Sequence, residues 1–416
     1  MSSDTMSMAD SCQSAYSQES PYNADFMKSR CIYLDNNATT QPMDLVNEVV
    51  QTTMRVQWGN PSSIHRIGQE ARQIVDLARE QIANLIHASP SEITFTSCGT
   101  ESANLALHSA CQARPDRKLV VTSQLEHAAV SEMADALSER GIEIIRISND
   151  KDGIVSMQEL ESVLRERASE IAVVSLMWCN NETGVIEPLE KASELCKQFD
   201  VLLHSDGTQW VAKMPVNVQE VQVDFLTFAA HKFHGPKGIG ALYTKRGVVV
   251  TPLVLGGPQE RRRRGGTENV PAIAGFGVAA EAASAWLTKE NIASMICLRD
   301  DFEARLKEQI PNIRINSGGA TRAWTTSSIA FPGIKGELLL LMLSERGVYA
   351  SSGAACSSGA FKESSVIAAL GHEDDGEWGT VRCSFARTTT SEELTQAIDI
   401  FATVIPIAKD IVTTIA

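Results

Sequence analysis

The sequence predicts an α/β fold in which a large domain, built on a mainly parallel central sheet, is joined to a smaller α+β domain. Its 416 residues are enough for two domains of ordinary size. From about residue 60 to residue 290, short apolar runs alternate with helix-like segments, which is typical of a parallel sheet covered on both faces. Beyond about residue 290 this alternation gives way to a few separate helices and strands.

The N-terminal third of the chain begins with a polar, serine-rich stretch without periodicity, so we expect a disordered extension over residues 1–30. Residues 66–86 are predicted to be a helix, because apolar side chains recur along one stripe, namely Ile67, Ala71, Ile74, Ala78, Ile82 and Leu85. A short strand at 93–96 then leads through the turn 97–100 into a helix at 101–110.

Six further apolar runs are predicted to be strands of the same sheet, at residues 118–122, 142–147, 171–178, 201–204, 224–228 and 240–244. The smaller domain follows, with a helix at 291–309, a strand at 327–332, a helix at 336–347 and a loop rich in Gly, Ser and Ala at 351–361.

Composition and charge exclude several classes of function. The net charge of −14 argues against nucleic-acid binding, and no apolar run approaches the roughly 18 residues of a membrane span. The nine cysteines include no C-x-x-C pair, so neither a metal site nor a disulfide framework is predicted. Because scattered cysteines fit a reducing compartment and no signal or transit peptide is evident, we expect a cytoplasmic protein.

Three segments at predicted strand ends carry residues suited to chemistry. The turn 97–100 opens a helix, so its amide N–H groups and Thr100 could bind an anion, or it is an ordinary capped turn. Lys232 lies between two histidines, where positive neighbours and partial burial would lower the pKa of a Schiff-base lysine; a solvated basic loop is the alternative. Asp206 could pair with a protonated ring nitrogen or cap the next helix.

Together these three segments meet the requirements of pyridoxal phosphate. The turn would hold the phosphate, Lys232 would bond covalently to the cofactor, and Asp206 would keep the ring nitrogen protonated.

Four other residues are weaker candidates when each is taken alone. His127 follows a strand and could stack on a ring or shuttle a proton, although a lone histidine is more often structural. Cys356 lies in the small-residue loop, where a nucleophile would have mobility and access, or it is incidental. Asn181 fits a cleft or a plain turn, and Arg387 fits a substrate carboxylate or a surface ion pair.

Ten stretches of the chain, in order from residue 32 to about 395, carry a family resemblance. The most specific are HKFHGPKGIGALY (231–243) and SSGAACSSG (351–359). They are supported by YLDNNATT (33–40), GNPSSIHRIG (59–68), TSCGTESANLAL (96–107), EHAAV (126–130), NNETGV (180–185), HSDGTQ (204–209), GTEN (266–269) and SFARTTTSEE (384–393). With them the chain resembles the cysteine desulfurases of the NifS/IscS type, in the class V aminotransferase group of pyridoxal-phosphate enzymes.

The resemblance implies the aspartate-aminotransferase-like fold, which is fold type I of pyridoxal-phosphate enzymes. The large cofactor domain would span 42–288, and the small domain would combine 31–41 with 289–416 and carry the cysteine loop. A homodimer is implied, with active sites shared between subunits.

The resemblance also assigns roles to single residues. Lys232, His127 and Cys356 would be catalytic, as cofactor-bonding lysine, ring-stacking histidine and sulfur acceptor. Asp206 and Gln209 would contact the ring nitrogen and the ring's phenolic oxygen. The phosphate would be held by Gly99, Thr100, His231 and, from the other subunit, Thr267. Asn181 and Arg387 would hold the substrate carboxylate.

The implied reaction converts L-cysteine to L-alanine and leaves a persulfide on Cys356. The sulfur would pass to an acceptor or scaffold protein for iron–sulfur cluster or thio-cofactor assembly. A selenocysteine lyase, another aminotransferase or β-elimination enzyme, and a non-catalytic scaffold are the alternatives. One departure from the family concerns the phosphate, because Ala229 stands where the family usually has a serine.

Overall fold

The computed structural model of the protein describes residues 31–352, 364–372 and 378–415, with side chains described as far as residue 412. The predicted extension 1–30 and the predicted nucleophile Cys356 lie outside the described residues. The first described element is the two-residue strand β1 (Ile32–Tyr33).

A seven-stranded sheet forms the centre of the larger region. Its strands are β2 (Ile93–Thr96), β3 (Leu119–Ser123), β4 (Glu143–Ile147), β5 (Ile171–Met177), β6 (Leu202–Asp206), β7 (Phe225–Ala229) and β8 (Gly240–Thr244), in the order β2-β8-β7-β6-β5-β3-β4. Strand β8 is antiparallel to both of its neighbours, whereas the other pairs are parallel. Because β8 reverses the direction twice, β2 runs with the other five strands. Six strands therefore end at the same edge of the sheet.

Helices cover both faces of this sheet. They are α1 (Asp44–Val56), α2 (Arg66–Leu85), α3 (Gly99–Ala113), α4 (Ala128–Ser138), α5 (Met157–Arg167), α6 (Leu189–Gln198) and α7 (Val270–Trp286). Successive side chains of a strand point to opposite faces, so Val120 belongs to the apolar cluster that includes α3 and α4, whereas Val121 belongs to the cluster that includes the other five helices. The near-continuous apolar runs of these strands follow from burial on both faces.

Helix α2 is where the predicted apolar stripe is partly wrong. Ala71, Ala78 and Ile82 are buried as predicted, but Ile67 is 41% exposed. Ile67 lies in the first turn of the helix, so the packed stripe begins one turn later than the sequence pattern suggests.

The second region is smaller. It follows a short hairpin of β9 (Pro258–Gln259) and β10 (Arg264–Gly265) and contains α8 (Lys289–Gln309), β11 (Arg314–Ile315), β12 (Thr326–Pro332), α9 (Gly336–Ser344), β13 (Val348–Tyr349), α10 (Ser365–Ala369), β14 (Trp378–Ser384) and α11 (Ser391–Ile415). Strands β11, β12 and β14 form an antiparallel sheet, and β1 pairs in parallel with β13. A separate core joins Ile32 and Leu34 to Phe302, Phe331 and Phe401.

The predicted fold class is confirmed, and the predicted strands of the central sheet agree with β2–β8 to within two residues. The helix predicted at 101–110 begins earlier, at Gly99. The domain boundaries at 42–288 and at 31–41 with 289–416 stay a prediction. Within the described ranges no single helix is long and apolar enough to cross a membrane, although α7 and α8, bent by 87°, pass that test as a pair.

Candidate active site

A cavity of about 230 Å³ opens where the six strands end. The loops after β2, β3, β5, β6 and β7 supply most of its lining. Eight of the predicted site residues line it together: Gly99, Thr100, His127, Asn181, Asp206, Gln209, His231 and Lys232. The sheet topology therefore places side chains that are far apart in sequence around one cavity, because they lie at or just after the ends of different strands.

One end of the cavity is the N-terminus of α3. Gly99 and Thr100 are its first residues, and amide N–H groups in a first turn have no acceptor within the helix. Cys98 caps the helix, with its Sγ accepting from the amide of Glu101 at 3.5 Å. Strand β8 passes so close that a Cβ on Gly240 would lie 2.6 Å from the carbonyl carbon of Cys98. The turn is therefore held tightly, in a form that suits a phosphate.

The two histidines near Lys232 do not act as the sequence suggested. His231 Nδ1 lies 3.2 Å from Thr39 Oγ1, and His234 Nδ1 lies 2.9 Å from the carbonyl oxygen of Gln41. Burial lowers the pKa of both rings to about 4. Both are neutral near pH 7, so the expectation that they are positive neighbours of Lys232 is wrong.

Lys232 lies in the tight turn that follows β7. Its Nζ donates to the carbonyl oxygens of Asn37 at 2.7 Å and of Ala38 at 3.0 Å. The segment that follows β1 therefore crosses the site and holds the amine beside the cavity.

Asp206 is the last residue of β6, in the middle of the sheet, and only 7% of it is exposed. Its Oδ1 accepts from the amide of Thr208 at 2.9 Å. The neighbouring Gln209 donates from Nε2 to the carbonyl oxygen of Asn37 at 3.0 Å. A buried carboxylate at this depth suits a cationic ring nitrogen.

His127 caps helix α4. Its Nδ1 accepts from the amide of Ala129 at 3.1 Å, which leaves the proton of the neutral ring on Nε2. The cap fixes both the position and the tautomer of the imidazole at the wall of the cavity.

The two predicted carboxylate-binding residues lie in adjoining spaces. Asn181 lines the main cavity, and its carbonyl oxygen accepts from Arg382 Nη1 at 3.1 Å. Arg387 lines a smaller neighbouring cavity, which Lys232 also borders. Among the described residues Arg387 makes no ion pair, and its Nη2 contacts the sulfur of Met43.

Thr267 lies apart from these residues, in a separate cavity of about 200 Å³ that Glu260 and Arg264 also line. Arg261, Arg263 and Arg264, in the arginine run before it, bond within the chain. Arg264 pairs with Glu101 at 3.1 Å, and Glu260 pairs with the buried Arg79 at 2.7 Å.

Two buried residues at the site were missed by sequence reasoning. Asn37 accepts from Lys232 and Gln209, and its amide binds Thr326 Oγ1 at 2.8 Å. Lys213 is 4% exposed and its Nζ donates to Gln209 Oε1. Burial lowers the pKa of Lys213 to about 7. Its one signal is a lysine inside the otherwise apolar run 210–215, which alone does not distinguish burial from exposure.

The donor set fits pyridoxal phosphate. Helix amides and a hydroxyl suit a phosphate, the Lys232 amine suits an aldehyde, and the buried Asp206 suits a protonated ring nitrogen. No cluster of three or more metal-binding side chains is found in the part of the chain that the structure describes.

Comparisons with known proteins agree with this chemistry. Residues 32–396 match the protein family described as Aminotransferase class-V. The chain is 41% identical over 374 residues to "Cysteine desulfurase 2" of Trichormus variabilis, which covers 90% of this chain and 93% of that protein. It is 40% identical over 368 residues to "Cysteine desulfurase NifS" of Azotobacter vinelandii, covering 88% and 90% of the two chains.

Solved structures give the same result. A structure described as "NIFS-LIKE PROTEIN" matches with a TM-score of 0.84 and 35% identity, covering 91% of this chain and 100% of that one. A structure described as "SspA in complex with cysteine" matches with a TM-score of 0.75 and 29% identity, covering 86% and 99%. The family, the fold type and the cofactor predicted from the sequence are thereby confirmed, and the chain belongs to the class V aminotransferase family, among its pyridoxal-phosphate-dependent cysteine desulfurases.

Proposed function

We propose that this cysteine desulfurase forms its persulfide on Cys356. The Cys356 thiolate attacks the sulfur of L-cysteine, the bond between the substrate's β-carbon and sulfur breaks, and its electron pair stays with the carbon skeleton. Protons complete L-alanine, and Cys356 keeps the transferred sulfur as a persulfide. Atoms balance, because one thiol and one L-cysteine give one persulfide and one L-alanine.

The residues of the main cavity are proposed to support this reaction in separate ways. When bound, pyridoxal phosphate supplies an electron-withdrawing ring that accepts the electron pair released at the substrate's α-carbon. Lys232, whose amine would hold the cofactor in the absence of substrate, would move the α-proton, for which its flexible stem is suited. Asp206 would hold the ring nitrogen's proton, and His127, fixed by its helix cap at the cavity wall, would stack on the ring.

The observation that carries this proposal is the convergence of eight predicted residues on one cavity. A helix N-terminus, a lysine and a buried carboxylate meet there from the ends of three different strands. Arg387, without an ion pair among the described residues and next to Lys232, is proposed to bind the substrate carboxylate together with Asn181. The cysteine bound in the SspA structure supports L-cysteine as the substrate.

The test is a product analysis with L-cysteine. Protein loaded with pyridoxal phosphate should release L-alanine, and protein-bound sulfane sulfur should appear on Cys356 in peptide mass spectra. Pyruvate in place of alanine would identify a β-elimination enzyme. A parallel assay with L-selenocysteine measures chalcogen preference, and a rate far above that for L-cysteine would favour a selenocysteine lyase.

We further propose a homodimer with shared active sites. Exposed apolar side chains cluster in and beside α1 and before β9, including Trp58 at 70%, Ile64 at 96% and Leu255 at 79% exposure. Exposed large apolar side chains of this kind are typical of surfaces that pack against a partner. Thr267 lies outside its own main cavity, which fits a role in the partner's phosphate site. Sedimentation of the wild type and Ile64→Asp tests this, with a stable wild-type monomer as the contrary result.

The proposed acceptor of the sulfur is a scaffold or carrier protein in the cytoplasm that serves iron–sulfur cluster or thio-cofactor assembly. Persulfide transfer from ³⁵S-labelled protein to purified candidate acceptors tests this directly.

A further inference from the structure

Lys213 is a second lysine at the active site, and it has no place in the chemistry described above. It follows Ala212, whose φ of +67° is strained for a residue with a side chain. The indole of Trp324 donates to the carbonyl oxygen of Lys213 at 2.9 Å. Backbone strain of this kind persists only where the surroundings fix it, and here it accompanies a buried lysine.

The ammonium of Lys213 has two acceptors and no ion pair within the described residues. Nζ donates to Gln209 Oε1 and, more weakly at 3.4 Å, to Asn37 Oδ1. Burying a lysine without a carboxylate is costly, so packing alone is a poor reason for it. Burial lowers its pKa to about 7, but both the ammonium and the neutral amine carry N–H groups that can donate.

This contact determines what Gln209 offers to the cavity. An amide has an acceptor edge and a donor edge, and the ammonium form of a lysine, which has donors only, can face only the acceptor edge. With Oε1 held by Lys213, Nε2 must be the edge that faces away, and it donates to the carbonyl oxygen of Asn37, which also accepts from Lys232. Gln209 is thus presented as a hydrogen-bond donor beside the cofactor-bonding lysine.

We propose that Lys213 is a positioning residue that holds the Gln209 amide as a donor toward the phenolic oxygen of bound pyridoxal phosphate. The inference rests on the proposed role of Gln209. Lys213 does not line the main cavity, although it borders the smaller one beside Arg387. Its effect passes through one amide, so it should disappear when that amide is gone.

The test compares cofactor-free protein of the wild type, Lys213→Met, Gln209→Ala, the double variant and Lys237→Met, which removes a nearby but exposed lysine. Kd for pyridoxal phosphate and the absorption maximum of the bound cofactor are measured. Lys213→Met and Gln209→Ala should each weaken binding about tenfold, as expected for one lost hydrogen bond to a charged group, and displace the absorption maximum. The double variant should be no weaker than the weaker single variant, and Lys237→Met should match the wild type.

Thermal unfolding of each cofactor-free protein separates misfolding from positioning. If Lys213→Met does not fold, Gln209→Glu is the deciding variant, because it keeps an acceptor for Lys213 and removes the Nε2 donor of Gln209. It should fold and bind pyridoxal phosphate about tenfold more weakly. Additive losses in the double variant, or wild-type binding and absorbance in Lys213→Met or Gln209→Glu, would overturn the proposal. None of these readouts uses L-cysteine, so a failure of the proposed sulfur transfer would be seen separately.

Discussion

The two sides of the main cavity are built in different ways. The cofactor side consists of strand ends and the turns that follow them, so Asp206, His127 and Lys232 are each held by the sheet and its local caps. The other side joins the segment after β1 to the end of β14. There Arg382 pairs with Asp35 at 2.7 Å, and the backbone N–H of Asn37 donates to Ser384 Oγ at 2.9 Å.

This difference predicts that mutations on the two sides of the cavity have different effects. Changes on the sheet side should alter cofactor binding, because the sheet holds those residues directly. Changes on the side built from Asp35, Asn37 and β14 should alter stability and handling of the substrate, because that side depends on contacts between distant parts of the chain. Each prediction below tests this division, from the largest expected effect to the smallest.

Lys232→Ala removes the amine on the sheet side. The variant should lose the visible absorbance of covalently bound cofactor, and kcat for alanine formation should fall by about 10² to 10⁴ fold or more. Absorbance spectra and alanine assays measure this, with Lys237→Ala as the control. An unchanged spectrum, with borohydride fixing the cofactor to a different peptide, would assign the covalent bond to another lysine.

Cys356→Ser tests whether sulfur transfer is independent of the cofactor side. A hydroxyl supplies almost no anion at neutral pH, so alanine formation should fall at least about a hundredfold while cofactor affinity stays unchanged. Alanine, sulfane sulfur and Kd for pyridoxal phosphate are measured. Cys98→Ser is the matched variant, and a loss of activity there with near-normal turnover in Cys356→Ser would move the acceptor role to Cys98.

Asp35→Asn acts on the side built from distant segments. It leaves the buried Arg382 without its carboxylate, which should lower the free energy of unfolding by about 3 kcal/mol. Because Arg382 also holds the carbonyl of Asn181, KM for L-cysteine should rise while Kd for pyridoxal phosphate stays constant. Urea denaturation and kinetics check both parts. A weakened cofactor affinity with unchanged KM would contradict the division.

Glu126→Gln changes a buried residue of the sheet side that does not line the main cavity, so we expect an effect on stability rather than on cofactor binding. Glu126 accepts from Ser123 Oγ and the amide of Met177, both at 2.9 Å, and burial raises its pKa to about 8. The native carboxyl therefore keeps a proton that the unfolded chain releases above about pH 4.3, so stability is lost as the pH rises from there to about 8.

Glutamine cannot ionise, so the variant should nearly match the wild type near pH 4.5 and exceed its free energy of unfolding by about 2 kcal/mol near pH 6. Urea denaturation at both pH values measures this. Equal stability of the two proteins at the higher pH would mean that Glu126 ionises in the native state.

Ala229→Ser introduces, near the N-terminus of α3, the hydroxyl that the family usually has at this position of the proposed phosphate site. Ala229 is buried and lines the cavity near Gly99, so the new hydroxyl should tighten pyridoxal phosphate binding about tenfold, as one hydrogen bond to a charged group. Dialysis rates and Kd measure it. An unchanged affinity would assign that hydrogen bond to Thr208, whose Oγ1 lies 3.3 Å from the Cβ position of Gly99.

The cofactor side was largely predictable from the sequence, because its residues follow buried strands directly. Asp206 and Lys232 lie within four residues of the ends of apolar runs, and parallel strands end at one edge. The other side was not predictable. The contact between Lys213 and Asn37 joins residues 176 positions apart, and the local pattern around Lys213 does not reveal its burial. The neutrality of His231 and His234 likewise depends on tertiary burial.

The bond between Asn37 and Ser384 has a consequence for biosynthesis. A nascent chain can complete the central sheet once β8 has left the ribosome, since no strand of that sheet comes later. Asn37, however, is held by Thr326 and Ser384, which are synthesised long afterwards. The hydrogen bonds that fix Asn37, which accepts from the Lys232 amine, can therefore form only near the end of translation. A growing chain thus has its central sheet before it has a complete catalytic centre.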